Sequence, residues 1–143
     1  MTFAGINYFA VLVAAVAGWL VGAAWYNVLA NHWLAAQGKT MEACKQEQAA
    51  MKGDPKAYLP FVLAFVANLA MAWVLAGLIG HLGQVTICSG VISGAFVWLG
   101  FVVTTIAVNY AFGGRTWRLF AIDAGHWLAV LVVQGAIIGA FGV

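Results

Sequence analysis

Charge is what this sequence has least of. Asp, Glu, Lys and Arg make up 7% of its 143 residues, against roughly a quarter in a soluble domain. A chain this short exposes too much surface to hide its 65% hydrophobic residues from water, so its solvent must be the bilayer. The net charge of +2 is too small and too localised for a nucleic-acid surface. Cysteine is also scarce. Cys44 and Cys88 stand alone, with no C-x-x-C and no H-x-x-x-H spacing, so free thiols are expected, with no metal site and no cofactor. There are two prolines, and neither breaks an apolar run midway, as substrate sites of larger transporters often require. Pro60 falls in a first helical turn, where proline is tolerated. G-x-S-x-G and H-E-x-x-H are absent, and no second acid lies in an apolar run to share acid–base work. No catalytic residue is assigned.

What is present is a series of four apolar runs. The first, about residues 6–30, contains no Lys, Arg, Asp or Glu and exceeds the roughly 20 residues that span a hydrocarbon core. A cleaved signal peptide needs a basic stretch before its apolar core, and no Lys or Arg precedes Lys39, so the run reads as a retained helix. Trp25, Tyr26 and Trp33 mark the interface. Residues 31–56 form the one long polar segment, carrying Lys39, Lys45, Lys52, Lys56 and three of the four acids. Within it Thr40 caps a short helix to about Met51, either resting on the membrane surface or serving as a solvated connector. Asp54-Pro55 closes it with a turn. The second run, 58–81, is interrupted by Asn68. A turn at 81–84 leads to the third, 86–112, and Gly113-Gly114-Arg115-Thr116 to the fourth, 117–141.

Links this short force neighbouring helices to run opposite ways. The expected fold is therefore an all-α membrane protein, an antiparallel four-transmembrane-helix bundle, with 1–143 a single transmembrane domain. All six Lys and Arg lie in or beside the first and third connections, which share one side. The positive-inside rule makes that side cytoplasmic. Loops 31–56 and 113–116 are then cytoplasmic and both termini non-cytoplasmic, in a multi-pass protein of the cell (inner) membrane.

Small residues recur at four-residue spacing on three of the runs: Gly18 and Gly22, Gly90 and Gly94, Gly135 and Gly139. This spacing lets helix backbones approach closely in lipid. The stripe on the third run extends through Val97, Gly100 and Thr104. Three such faces exceed what one bundle needs, which points, beyond the lipid bilayer, to a homo-oligomer or a membrane-protein partner.

The fourth acid, Asp123, is the only carboxylate inside an apolar run, with His126 three residues on. At 100° per residue Asp123, His126, Val130 and Gln134 share an arc of about 80°. Folding the third and fourth runs about Gly114 sets Asp123 beside Thr105 and Ile106, roughly 9 Å from the cytoplasmic end. Asn27, Asn68, Thr105, Asn109, Asp123 and His126 are the candidate polar layer. A carboxylate at that depth costs about 2.5–3.5 kcal/mol without partners. His126 offers one a turn away, and Arg115 or Arg118 another by reaching down from the interface. Two readings stay open. These residues either tie helices together, at about 0.6 kcal/mol each, or form a proton- or ion-linked relay. The expected role is accordingly a structural, accessory or self-associating bundle of unknown biochemical function. The alternative is a small oligomeric proton- or ion-linked transporter or channel using Asp123 and His126.

Trp25-Tyr26 closing the first run, Gly100-Phe101, Thr104-Thr105, Asn109 and Phe112 in the third, and the run LFAIDAG at 119–125 form a pattern that resembles the DUF1761 family. These are small bacterial and fungal membrane proteins of unknown function. The resemblance covers nearly the whole chain outside the central loop, and departs at His126, where an aromatic such as Tyr is expected. It implies the four-span fold and assigns no activity.

Overall fold

The computed structural model describes residues 5–142. Residues 1–4 and 143, and with them the two termini assigned above to the non-cytoplasmic side, lie outside the described residues. Helices α1 (Tyr8–Val28), α2 (Ala30–Ala36), α3 (Met41–Ala50), α4 (Leu59–Leu82), α5 (Ile87–Val97), α6 (Val103–Phe112) and α7 (Trp117–Phe141) account for most of the chain, and no strand occurs among the described residues. A 3₁₀ turn at Pro55–Tyr58 leads into α4, and a π-helical turn at Trp98–Val102 joins α5 to α6. Four helical stretches are long and apolar enough to cross a membrane: Tyr8–Val28, Pro55–Leu82, Ile87–Phe112 and Trp117–Phe141.

The ends of these helices are set by local chemistry. First-turn amides have no partner within a helix, and polar side chains accept from them here. Asn7 accepts from the Ala10 amide, Thr40 from Ala43 and Thr116 from Leu119. Thr86 and Ser89 form a reciprocal capping box at the start of α5. Gly83 stops α4 at φ 75°, a conformation that side chains with a Cβ rarely adopt. The polar segment 31–56 contains the helix expected from Thr40 and, in addition, α2, which follows α1 almost without interruption.

Helix α7 is central. It packs most extensively on α5 and α1, and also meets α4, α6 and α2, while α1 packs on α4. Along α1, Gly18, Gly22 and Trp25 meet Gln134, His126 and Ile122 in reverse order on α7. Along α5, Gly90 and Gly94 meet Gly135 and Leu131, and Thr86 meets Gly139, again in reverse. A Cβ on Gly90, Gly94, Gly135 or Gly139 would run into the opposing backbone. Glycine is what allows main chain to lie on main chain there. The core away from the basic loops is small and apolar, built from Val11, Ala14 and Ala15 of α1, Ala72, Leu75, Ala76 and Ile79 of α4, and Leu131 and Ile138 of α7. The outer surface is apolar as well: Phe61, Phe96, Phe101 and Phe112 are exposed, Phe112 at 91%.

The π turn alters the third span. One residue more per turn advances the facing direction by about 100°. Gly90, Ser93 and Gly94 are buried against α7, but Gly100 has nothing near it and Thr104 bonds back to the Gly100 carbonyl at 3.0 Å. The stripe therefore runs on to Val97, which packs against the core, and does not continue through Gly100 and Thr104. Trp98 closes this stretch, its indole donating to the Ala124 carbonyl on α7 at 2.7 Å.

Candidate functional site

Asp123 lies on α7 between its second and third turns, and its carboxylate accepts three hydrogen bonds from three other elements. Tyr26 at the end of α1 donates its hydroxyl to Oδ1 at 2.7 Å. Trp33 on α2 donates its indole N–H to the same oxygen at 3.1 Å. Tyr110 on α6 donates its hydroxyl to Oδ2 at 2.5 Å. A carboxylate has about four acceptor positions, so most of its capacity is used. The donors are held by their rings. Tyr26 meets Trp33 edge-on at 5.3 Å between centroids and His126 at 4.9 Å.

His126 does not bond Asp123. It is 5% exposed, lies between Tyr26 and Trp127, and faces Gly22, where a Cβ would stand 2.9 Å from its Nε2. Its Nδ1 is buried without a partner among the described residues. Further along the same face of α7 is Gln134, fully buried, whose Nε2 donates to the backbone carbonyl and to Oδ1 of Asn68, both at 3.1 Å. Asn68 in turn donates to the Ala64 carbonyl at 2.9 Å. Gly18 makes room for this pair, since a Cβ there would collide with the Asn68 amide oxygen and approach Gln134 Nε2 to 2.8 Å. The Gln134 Oε1 is also buried without a partner among the described residues. Buried polar atoms are nearly always bonded, so these two stand out.

The candidate residues thus separate into groups. Asp123 and His126 are linked through the Tyr26 ring, and Asn68 lies apart from them with Gln134. Asn27, Thr105 and Asn109 join neither group. Asn27 donates to the Ala23 carbonyl of its own helix, Thr105 to the Phe101 carbonyl, and Asn109 is exposed. The partners of Asp123 are two phenols and an indole, not His126 or an arginine. Among the described residues the ion pair is Lys39–Glu47 at 3.1 Å, on the surface. No group of three or more metal-ligating side chains occurs among the described residues.

Tyr26, Trp33 and Tyr110 carry the site and were not among the candidates. Trp33 reads in sequence as an interface marker in a polar loop. Tyr110 lies on α6 beyond the π turn, where Ile106 and Tyr110 are partly buried and Thr105 and Asn109 are exposed.

Four helices are long and apolar enough to cross a membrane, and α1, α2 and α6 meet on one carboxylate of α7, a hydrogen-bonded centre in an all-helical protein. The chain belongs to DUF1761, a family described as protein of unknown function, whose pattern it matches over residues 9–139. No curated protein and no solved structure matches it.

Proposed function

We propose that this chain is an accessory protein of the cell (inner) membrane, an antiparallel four-helix bundle that acts as a rigid binding body for a partner rather than through chemistry of its own. The observation that carries this reading is the set of three donors on Asp123. Three donors from α1, α2 and α6 converge on it, as in a tie between elements. The glycine faces that suggested self-association are filled from within the subunit, so a second copy or a membrane-protein partner would use the apolar outer faces. The positive-inside rule puts the side that carries all six cationic residues, in or beside the two loops, in the cytoplasm. In a Cys88→Ser background, an impermeant thiol reagent should leave Cys44 unlabelled in intact cells and label it in inverted vesicles. Labelling in intact cells reverses the topology.

The second reading is a proton- or ion-linked path, and the specific observation in its favour is the unpartnered Nδ1 of buried His126 beside the Asp123 centre. Reconstituted into vesicles with a pH-sensitive dye inside, the chain should pass no more protons than empty vesicles do under an imposed gradient. A flux lost in Asp123→Asn would instead make transport the function.

A further inference from the structure

The groove between α2 and the first turns of α7 has a volume of about 560 Å³, within the range of small-molecule sites. Both of its walls are fixed. Trp33 is bonded to Asp123, Leu34 is buried, and the Thr116 hydroxyl donates to the Ala36 carbonyl at 3.1 Å, so α2 is held on the start of α7. Ala35, Ala36, Ala121 and Ile122 line the groove. Three of these side chains end at Cβ, which leaves an apolar trough. Two long polar side chains also line it, His32 and Arg118. Arg118 is exposed and makes no hydrogen bond or ion pair among the described residues. Among the described residues no acid lines the groove, and the carboxylate on the same helix is already occupied by three donors. An apolar trough with a free guanidinium at its rim, at the cationic end of a membrane protein, is complementary to a molecule with an anionic head and an apolar tail.

We propose that this groove binds an anionic glycerophospholipid, a reading that rests on the membrane-spanning fold proposed above. The phosphate sits on Arg118, whose planar fork matches phosphate oxygens two at a time. The upper part of an acyl chain lies along Ala35 and Ala121. Basic pockets between helices on the cytoplasmic side are recurrent headgroup sites. Arg115 provides an internal comparison. It borders a separate hollow of about 240 Å³ beside Tyr110 and Phe120, away from α2.

The test uses the purified full chain in neutral detergent. Phosphatidylglycerol and phosphatidylcholine of identical acyl chains are titrated in, and bound lipid is counted by native mass spectrometry. Phosphatidylglycerol should be favoured about fivefold, which corresponds to ~1 kcal/mol for one cationic contact. Arg118→Gln should abolish the preference and Arg115→Gln should retain it. Ala121→Leu, which fills the trough, should weaken both lipids together, and inorganic phosphate should displace neither. Equal binding of the two lipids, equal loss in both arginine variants, an unaffected Ala121→Leu, or displacement by phosphate would each overturn the site. Carbonate washing of membranes separates the two readings. A chain released by it was never membrane-spanning and the lipid site falls too, whereas a retained chain without lipid preference overturns the site alone.

Discussion

Gly135→Val should separate α5 from α7 and leave little folded protein. A Cβ at Gly135 meets the carbonyl oxygen of Gly90, and a Cβ at Gly90 meets that of Gly135. Overpacking in a core usually costs about 1–3 kcal/mol because flexible side chains give way. Here the opposing atoms are backbone on both sides, and the helices can only move apart. The same contact recurs a turn away on either side, at Gly94 against Leu131 and Gly139 against Thr86, so separation at one point loosens all three. We expect a cost of more than about 3 kcal/mol for Gly135→Val, above the usual overpacking range. Gly100→Ala, with nothing near its Cβ, should be neutral or slightly stabilising, by up to about 1 kcal/mol. Unfolding in mixed micelles, followed by tryptophan fluorescence, gives both values. Similar transitions for the two variants would show that the glycine contact does not hold these helices together.

The sequence was most informative where a single physical cause acts along one helix. Long uncharged runs mark the spans because lipid tolerates little else, and the cap at Thr40 follows from unpaired amides at a helix start. The glycines were legible as close-approach residues, but their partners were not, because a repeat within one helix does not say what lies across from it. Gly90 and Gly94 meet backbone, whereas Gly18 and Gly22 meet Asn68, Gln134 and His126. The α1 glycines thus make space for the polar face of α7. The site was half legible. Asp123 announces itself as a lone acid in an apolar run, and His126 and Gln134 follow at helical spacing. Its three donors were missed for different reasons, Tyr26 because an aromatic at the end of an apolar run reads as an interface marker. Thr105 and Asn109 were placed by depth, counting back from the Gly114 turn, and depth does not say which face of the helix a residue takes; Ile106 and Tyr110 are the partly buried ones. Trp33 lies in what composition marks as a loop, and only tertiary contact with α7 turns that stretch into α2.

Asp123→Ala should be the second most damaging substitution, and its partners show why. It leaves two hydroxyls and an indole N–H without an acceptor, and each unpaired donor costs about 1–3 kcal/mol when buried. Tyr26, Trp33 and Tyr110 are half-buried, so water and headgroups replace part of this, and we expect a total of about 3 kcal/mol. Tyr26→Phe and Tyr110→Phe each remove a single bond and should cost about 1 kcal/mol. Asp123→Asn should fall between, since its amide oxygen can still accept from Tyr26 and Trp33 while its NH₂ faces the Tyr110 hydroxyl, which must rotate to accept. The decisive comparison is the double-mutant cycle. Once Asp123 is alanine, Tyr26→Phe should add almost nothing, because the hydroxyl it removes no longer has an acceptor. Trp33→Phe should act locally, exposing the amides of α2 to hydrogen exchange while α1 and α7 stay protected, since α2 is held by that indole and by Leu34. Additive losses in the cycle would mean that Tyr26 and Asp123 stabilise the fold independently, and the carboxylate would not be the tie on which the proposed function rests.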